Sequence, residues 1–174
     1  MESEVFEICV SPDHVMGFLG YLSGLGGVAE AGDVNRASGV DMDVLPHVLK
    51  AAEMLGLIES DSGYIMLTKL GSRLGSERAA QARRTLRERL VELEPFRSIL
   101  QALRSRGSLG RGEALEVLRR YFYWEGEDEA ERVLRCLLAW LLYAHLADYD
   151  PEEGVMRPPR ERRPASPGAS HRRG

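Results

Sequence analysis

The sequence predicts a mostly α-helical protein, in which a winged-helix-like domain (three helices plus a β-hairpin) is followed by a four-helix C-terminal region. Apolar residues recur every three or four positions over most of the chain, as along one face of a helix. Near the middle, two short apolar runs flank an Asp-Ser-Gly turn, which is typical of a hairpin. We therefore divide the chain into an N-terminal segment (1–10), a winged-helix-like domain (11–75), a helical region packed on it (76–156) and a disordered tail rich in Arg and Pro (157–174).

The first three helices are marked by capping residues and glycines. Ser11 is suited to be the N-cap of the first helix, and Pro12 fits its first position because a missing N–H costs nothing there. A short second helix is predicted at about 31–37. The third is predicted from Asp41 to Leu55, because acids favour the positive end of the helix dipole.

The hairpin comes next, and helical periodicity resumes after it. Its strands are expected at 57–60 and 64–67, and Thr68 is then placed to cap a short helix. Beyond residue 76 the apolar spacing is helical almost throughout. The four C-terminal helices are predicted at about 77–93, 95–107, 113–123 and 128–146, with a short strand at 155–156.

Charge is distributed unevenly along the chain. Residues 157–174 hold six arginines and one acid, whereas the other 156 residues carry 17 basic and 26 acidic side chains. An acidic body disfavours nucleic-acid binding, which needs basic groups to neutralise phosphates. The basic tail could contact nucleic acid or an anionic membrane, but its composition favours a disordered, solubilising end.

The cysteines and the hydropathy pattern predict an intracellular, cytoplasmic protein. Cys9 and Cys136 offer neither metal-ligand spacing nor a disulfide framework, and we expect Cys136 to be a small core residue of an apolar helix. The acidic start of the chain is unlike a secretory signal. The most apolar stretch, 133–147, is too short to span a bilayer, and we expect it to be a buried helix or to contribute to a homodimer contact.

Several segments, in order, resemble the AAA-associated C-terminal domain of prokaryotic ABC transporters of the nitrate, sulfonate and taurine type. The resemblance covers Ser11 to about Met156. The matching segments are Pro12 with VMGFL (15–19), Gly26-Gly27, DVLPHVLKAAEMLG (43–56), IMLTKLG (65–71), Ala130-Glu131, Trp140, Tyr143-Ala144 and Asp148-Tyr149-Asp150.

The resemblance implies a regulatory or binding role, with no catalytic residues to carry over. In that family the domain follows an ATPase domain, whose GxxxxGK[ST] phosphate loop is absent from this sequence. The chain departs from the family at Leu141-Leu142, where Gly-Arg is usual, and at His145, where an acid is usual. These departures favour a more apolar packing role at the end of the last helix.

The predicted third helix occupies the position of a DNA-reading helix but carries the wrong charge for it. Base edges and phosphates are contacted by Arg, Lys, Asn or Gln, whereas this helix offers Asp41, Asp43 and Glu53. The basic alternative is an Arg-rich helix, which is either a solvated face with mixed charges or a docking face for an acidic partner or nucleic acid. The candidate partner-binding residues are Arg83, Arg84, Arg87, Arg89, His47 and Lys50.

No enzyme site, metal site or cofactor site is predicted. The histidines show no ligand spacing, and no Ser-His-Asp set or carboxylate pair follows from spacing. The aromatic run 121–124 could stack on bases or a ligand, but at a helix end it more often anchors the core.

Two functions therefore stay open. The first is a non-enzymatic regulatory or adaptor module that binds a protein, such as the ATPase subunit of an ABC importer. The second is a winged-helix DNA-binding transcriptional regulator that uses the Arg-rich face and the tail.

Overall fold

The computed structural model describes residues 4–76 and 79–160, which are mostly helical, as predicted, and which also contain two small antiparallel sheets. The helices are α1 (Pro12–Gly24), α2 (Ala31–Ala37), α3 (Leu45–Met54), α4 (Lys69–Ser76), α5 (Ala79–Leu90), α6 (Phe96–Arg106), α7 (Arg111–Leu118) and α8 (Gly126–Tyr143). The strands are β1 (Val28–Glu30), β2 (Ile58–Asp61), β3 (Tyr64–Leu67), β4 (Leu109–Gly110), β5 (Asp148–Asp150) and β6 (Val155–Arg157).

Side-chain caps begin α1 and α4 at the residues that the sequence predicts. The Ser11 side chain accepts a hydrogen bond from the backbone N–H of His14, and Pro12 opens α1. The Thr68 side chain accepts from the N–H of Gly71 at 3.0 Å and donates to the carbonyl of Gly56. Thr68 therefore caps α4 and ties it to the end of α3.

The third helix begins four residues later than predicted. Asp41 does not enter the helix: its carboxylate accepts from the N–H of Asp43, which makes a turn, and α3 starts at Leu45. A short polar side chain competes here with the helical hydrogen-bond pattern of its own backbone. Asp41 and Asp43 therefore lie in the turn that precedes α3.

The predicted hairpin is part of a three-stranded sheet. β2 and β3 pair around Ser62-Gly63, and β1, which we did not predict, pairs with the other edge of β3 in the order β1-β3-β2. Ala29, Ile58 and Ile65 point into the core, and alternate residues point outward.

The C-terminal region contains the four predicted helices, α5 to α8, with different ends. α7 ends at Leu118 and α8 at Tyr143, because the chain turns after each of them. A second sheet, ordered β4-β6-β5, holds the predicted strand near Val155 between two strands that the sequence did not reveal.

Residues 4–10 of the N-terminal segment lie against the core, although no secondary structure was predicted for this segment. Phe6, Ile8 and Val10 are buried, in alternation with more exposed neighbours. The indole N–H of Trp140, a fully buried residue of α8, donates to the carbonyls of Ile8 at 3.1 Å and Val10 at 2.7 Å. The ring of Phe6 meets Trp140 edge-on with 5.0 Å between centroids. The segment therefore joins the two halves of the chain.

The two cysteines form a disulfide, so the prediction of no disulfide is wrong. Cys9 of the N-terminal segment is bonded to Cys136 of α8, 127 positions away. Cys136 is half-buried and covalently paired, so it is not the free core residue that we expected. Spacing along the chain could not reveal a bond that depends on the segment lying against α8.

The start of the predicted disordered tail is structured. Arg157 ends β6 and forms ion pairs with Asp150 at 3.2 Å and with Glu153. The rest of the predicted tail, from residue 161 onward, lies outside the described residues. Within 4–76 and 79–160, no helix combines the length and the apolar character needed to cross a bilayer.

Gly71 is required by the close approach of α4 to the backbone before β2. A Cβ atom at this position would overlap the carbonyl oxygen of Leu57. We expect Gly71→Ala to lower the free energy of unfolding by about 1–3 kcal/mol, because the overlap forces backbone shifts. Gly17→Ala, at an open position in α1, is the control and should stabilise by about 0.5–1 kcal/mol. Equal effects of the two changes in urea unfolding would contradict this explanation.

The disulfide closes a long loop and should stabilise the fold. We expect Cys9→Ser/Cys136→Ser to lose about 2–5 kcal/mol, because a cross-link restricts the unfolded chain. Dithiothreitol should lower the melting temperature of the unaltered chain and leave that of the double variant unchanged. A melting temperature of the unaltered chain that does not respond to dithiothreitol would argue against the bond.

Candidate functional site

An arginine-lined cavity lies along one face of α5. Arg83, Arg84 and Arg87 lie three, four and seven positions after Ala80, so the four side chains share this face. They line a cavity of about 540 Å³, within the usual size of a small-molecule site. Three of the six predicted partner-binding residues are therefore brought together here.

The opposite wall comes from the residues that follow α8 and from the segment beyond β6. His145, which has a φ of +54°, lies just beyond the C-terminus of α8, and Asp148 begins β5. Pro159 and Arg160 complete the wall beyond β6. The carboxylate of Asp148 accepts from the backbone N–H of Arg160 at 2.9 Å, which holds this segment over the cavity.

Positive charge dominates the cavity. Its described lining contains four arginines, one histidine and one acid. Arg83 lies over the ring of Tyr143, 5.7 Å from its centroid, and its Nη1 is 3.1 Å from Nε2 of His145. Burial raises the pKa of the Tyr143 hydroxyl, and the charge of Arg83 opposes this rise only in part. The Tyr143 side chain that Arg83 lies over is therefore uncharged at neutral pH.

Arg84 and Arg87 differ in how many of their N–H groups are hydrogen-bonded within the protein. Nε of Arg87 donates to the carbonyl of Ala144 at 3.0 Å, where it caps the C-terminus of α8. Arg84 is exposed and makes no hydrogen bond or ion pair with any residue of the described ranges. Its guanidinium is thus available to a ligand or partner.

A second, more apolar cavity of about 300 Å³ continues from the first. The two share Arg87, His145 and Pro159. Apolar side chains supply most of the remaining lining of the second cavity, and Arg104 is the one other charged residue there among the described residues. These apolar residues are Val91, Leu100, Leu103, Leu146 and Pro158.

The other three predicted partner-binding residues lie elsewhere. Nε of Arg89 donates to the carbonyl of Leu55 at 3.2 Å, so Arg89 caps the end of α3. His47 lies 2.9 Å from the carboxylate of Glu7, and Lys50 is exposed on α3. That these six residues bind a partner stays a prediction.

A distinct surface is formed by the outer side of the β1-β3-β2 sheet. Val28, Tyr64 and Met66 point outward at its centre, and Val28 and Tyr64 are nearly half exposed. Three exposed carboxylates share this side of the sheet with them. They are Glu30, Glu59 and Asp61. This outer sheet face therefore has an apolar centre and an acidic rim.

The aromatic run 121–124 serves mainly as packing. Trp124 is buried beneath the guanidinium of Arg119, and the hydroxyl of Tyr121 is 2.8 Å from that of Ser98. Tyr123 is the exception, with 84% of its surface exposed. Among residues 4–76 and 79–160, no three His, Cys, Asp or Glu side chains gather as metal ligands.

Sequence reasoning missed the residues that complete both surfaces. His145, Asp148 and Arg160 reach the cavity only through long-range contacts, because Arg83 and Arg87 of α5 bond to His145 and to the carbonyl of Ala144 just after α8. The outer sheet face depends on β1, whose three residues carry too little pattern to be recognised. The alternation of 28–30 was the only available signal.

The chain was compared with known families and proteins. The family described as the C-terminal AAA-associated domain matches residues 33–150, from α2 to the end of β5. The comparisons with curated proteins and with solved structures found no match. The matched region covers well over half of the chain and includes the hairpin, α5 and the cavity residues His145 and Asp148. The chain belongs to the C-terminal AAA-associated domain family.

Proposed function

We propose that this chain is a non-enzymatic regulatory or adaptor module that binds a protein partner, the ATPase subunit of an ABC importer. Membership of the AAA-associated family supports an ATPase of this kind as the partner. The phosphate loop of an ATPase is absent from the sequence, so the nucleotide chemistry would belong to the partner. Through its partner, the module would regulate substrate uptake.

The outer sheet face is the observation that carries this proposal. An apolar centre within a polar rim is the general composition of protein interfaces, with Tyr enriched at the centre. Tyr64 and Val28 supply exposed apolar area, and Glu59 and Asp61 give the rim its negative charge. The complementary partner surface would be apolar with basic residues around it.

The same face disfavours the alternative of a winged-helix DNA-binding regulator. In that class of protein, α3 and the hairpin are the elements closest to DNA. Here Glu59 and Asp61 project from the hairpin, and the side chain of Glu53 on α3 accepts a hydrogen bond from Ser60. Their charge would repel phosphates.

Variants of the outer sheet face test the partner. Glu59→Lys and Tyr64→Ala should each weaken binding of the ATPase subunit about tenfold or more, because each removes part of the complementary surface. Glu116→Lys on α7 and Tyr123→Ala, which alter an exposed acid and an exposed tyrosine elsewhere, should bind as the unaltered chain does. Biolayer interferometry with the purified ATPase subunit gives the affinities.

Two results would count against this proposal. If the unaltered chain fails to bind the ATPase subunit, the partner is wrong. If the control variants weaken binding as much as Glu59→Lys and Tyr64→Ala do, the partner docks elsewhere.

A mobility-shift titration tests the DNA alternative. We expect no shift of random duplex DNA at about 50 mM salt, where electrostatic binding to phosphates is strong. The outcome favouring a DNA-binding regulator would be a shifted band that fades steeply as salt is raised. Arg84→Gln should then reduce that shift if the Arg-rich face made the contact.

We place this partnership in the cytoplasm, where an ATPase meets its nucleotide. The Cys9–Cys136 disulfide is the observation against this location, because cytoplasmic thiols are ordinarily kept reduced.

A homodimer through α8 also stays a prediction. Leu142 is the exposed apolar residue of α8 that such a contact would cover.

A further inference from the structure

We infer that the groove formed by the two adjoining cavities along α5 binds a small amphipathic anion: an oxyanion head on a short apolar chain. Arg84, Arg87 and His145 form its polar end, and Val91 and Leu146 lie at its apolar end. That such a ligand would regulate the partner rests on the proposed function. Its binding to the isolated chain does not.

The two cavities form one groove because they have walls in common. Arg87, His145 and Pro159 line both of them. Along α5, the lining passes from Ala80 through the arginines to Val91 just beyond the helix, at positions three, four, seven and eleven after Ala80. A ligand lying along this helix would thus meet charged groups first and apolar groups next.

The polar end is suited to an oxyanion. The guanidinium of Arg84 has no partner within the described residues, and the Arg87 bond to Ala144 uses only its Nε. Their remaining N–H groups can donate to carboxylate or phosphate oxygens, often in pairs. The carboxylate of Asp148 is already bonded to the backbone of Arg160, which keeps it beside that wall. An anion would relieve the repulsion between these clustered cations.

The apolar end is suited to a hydrocarbon chain. Three of its lining side chains are each more than 90% buried, namely Leu100, Leu103 and Leu146. Val91 and Pro159 are more accessible to solvent. Each CH₂ that leaves water in this part of the groove should tighten binding about fourfold. A fully hydrated anion such as free phosphate would leave this end unused.

The dimensions and the charge select a small molecule as the occupant. Cavities of about 540 and 300 Å³ lie in the range of small-ligand sites. The remaining residues of the chain, 161–174, carry four arginines and one acid, so the positive groove would repel them. The outer sheet face, made of other residues, is left free for the protein partner.

Calorimetric titration of the full chain with four probes tests the ligand class. We expect octyl phosphate and octanoate to bind at least tenfold more tightly than inorganic phosphate, which lacks the apolar chain. Octylamine, with the same chain and a positive head, should not bind. Comparison of the two octyl anions separates a preference for tetrahedral phosphate from one for planar carboxylate.

A matched pair of variants assigns the site. Arg84→Gln should weaken octyl phosphate binding about tenfold, because it removes a charged hydrogen-bond donor. Arg132→Gln alters an exposed arginine in the N-terminal half of α8 and should leave the affinity unchanged. Neither arginine contributes to the core, so both variants should unfold at the temperature of the unaltered chain.

The inference is overturned by any of three results. These are no binding of either octyl anion at millimolar concentration, equal binding of octylamine, or equal affinities of the Arg84→Gln and unaltered chains. Inorganic phosphate binding as tightly as octyl phosphate would overturn the apolar part. Because no partner is present in these titrations, their failure would leave the proposed ATPase partnership standing, and failure of the partner assay would leave this inference standing.

Discussion

The hydrogen bonds from the Trp140 indole to the N-terminal segment are the constraint on which the rest of the structure depends. A buried N–H must find an acceptor, and here it finds the carbonyls of Ile8 and Val10. The bonds hold the segment against α8, and the Cys9–Cys136 disulfide fastens it there. The segment in turn meets the start of α6, because Phe6 donates to the carbonyl of Glu94. The long helix α8 is thereby held in place.

Two arginines of α5 bond to the ends of α3 and α8, and a third faces the candidate site. Arg89 caps the end of α3, and Arg87 caps the end of α8, so both satisfy carbonyls that a helix terminus leaves unpaired. With Arg87 anchored in this way, Arg84 on the neighbouring turn is positioned beside it and makes no hydrogen bond or ion pair with residues 4–76 or 79–160. The same helix therefore contributes to stability at Arg87 and presents the exposed guanidinium of Arg84 to the cavity.

The two candidate surfaces have opposite charge. The outer sheet face is acidic around an apolar centre, and the groove along α5 is basic. Molecules of different chemistry would therefore be attracted to each of them, which is what a module needs if it is to sense one molecule and contact another. Of the six partner-binding residues predicted from the sequence, Arg84 faces the groove, whereas Lys50 lies on α3.

The sequence alone determined the existence of the helices, two of their caps and the family, because these depend on local chemistry: Ser11 caps α1, and Thr68 caps α4. Helical spacing also places Arg83, Arg84 and Arg87 on one face of α5, whereas Arg89 turns to the end of α3. The tertiary structure decided which groups meet across long separations. The pairing of Cys9 with Cys136, the burial of Phe6, and the approach of His145 and Arg160 to Arg84 all join distant parts of the chain. No local pattern encodes such contacts, because they arise only when packing against α8 brings the segments together.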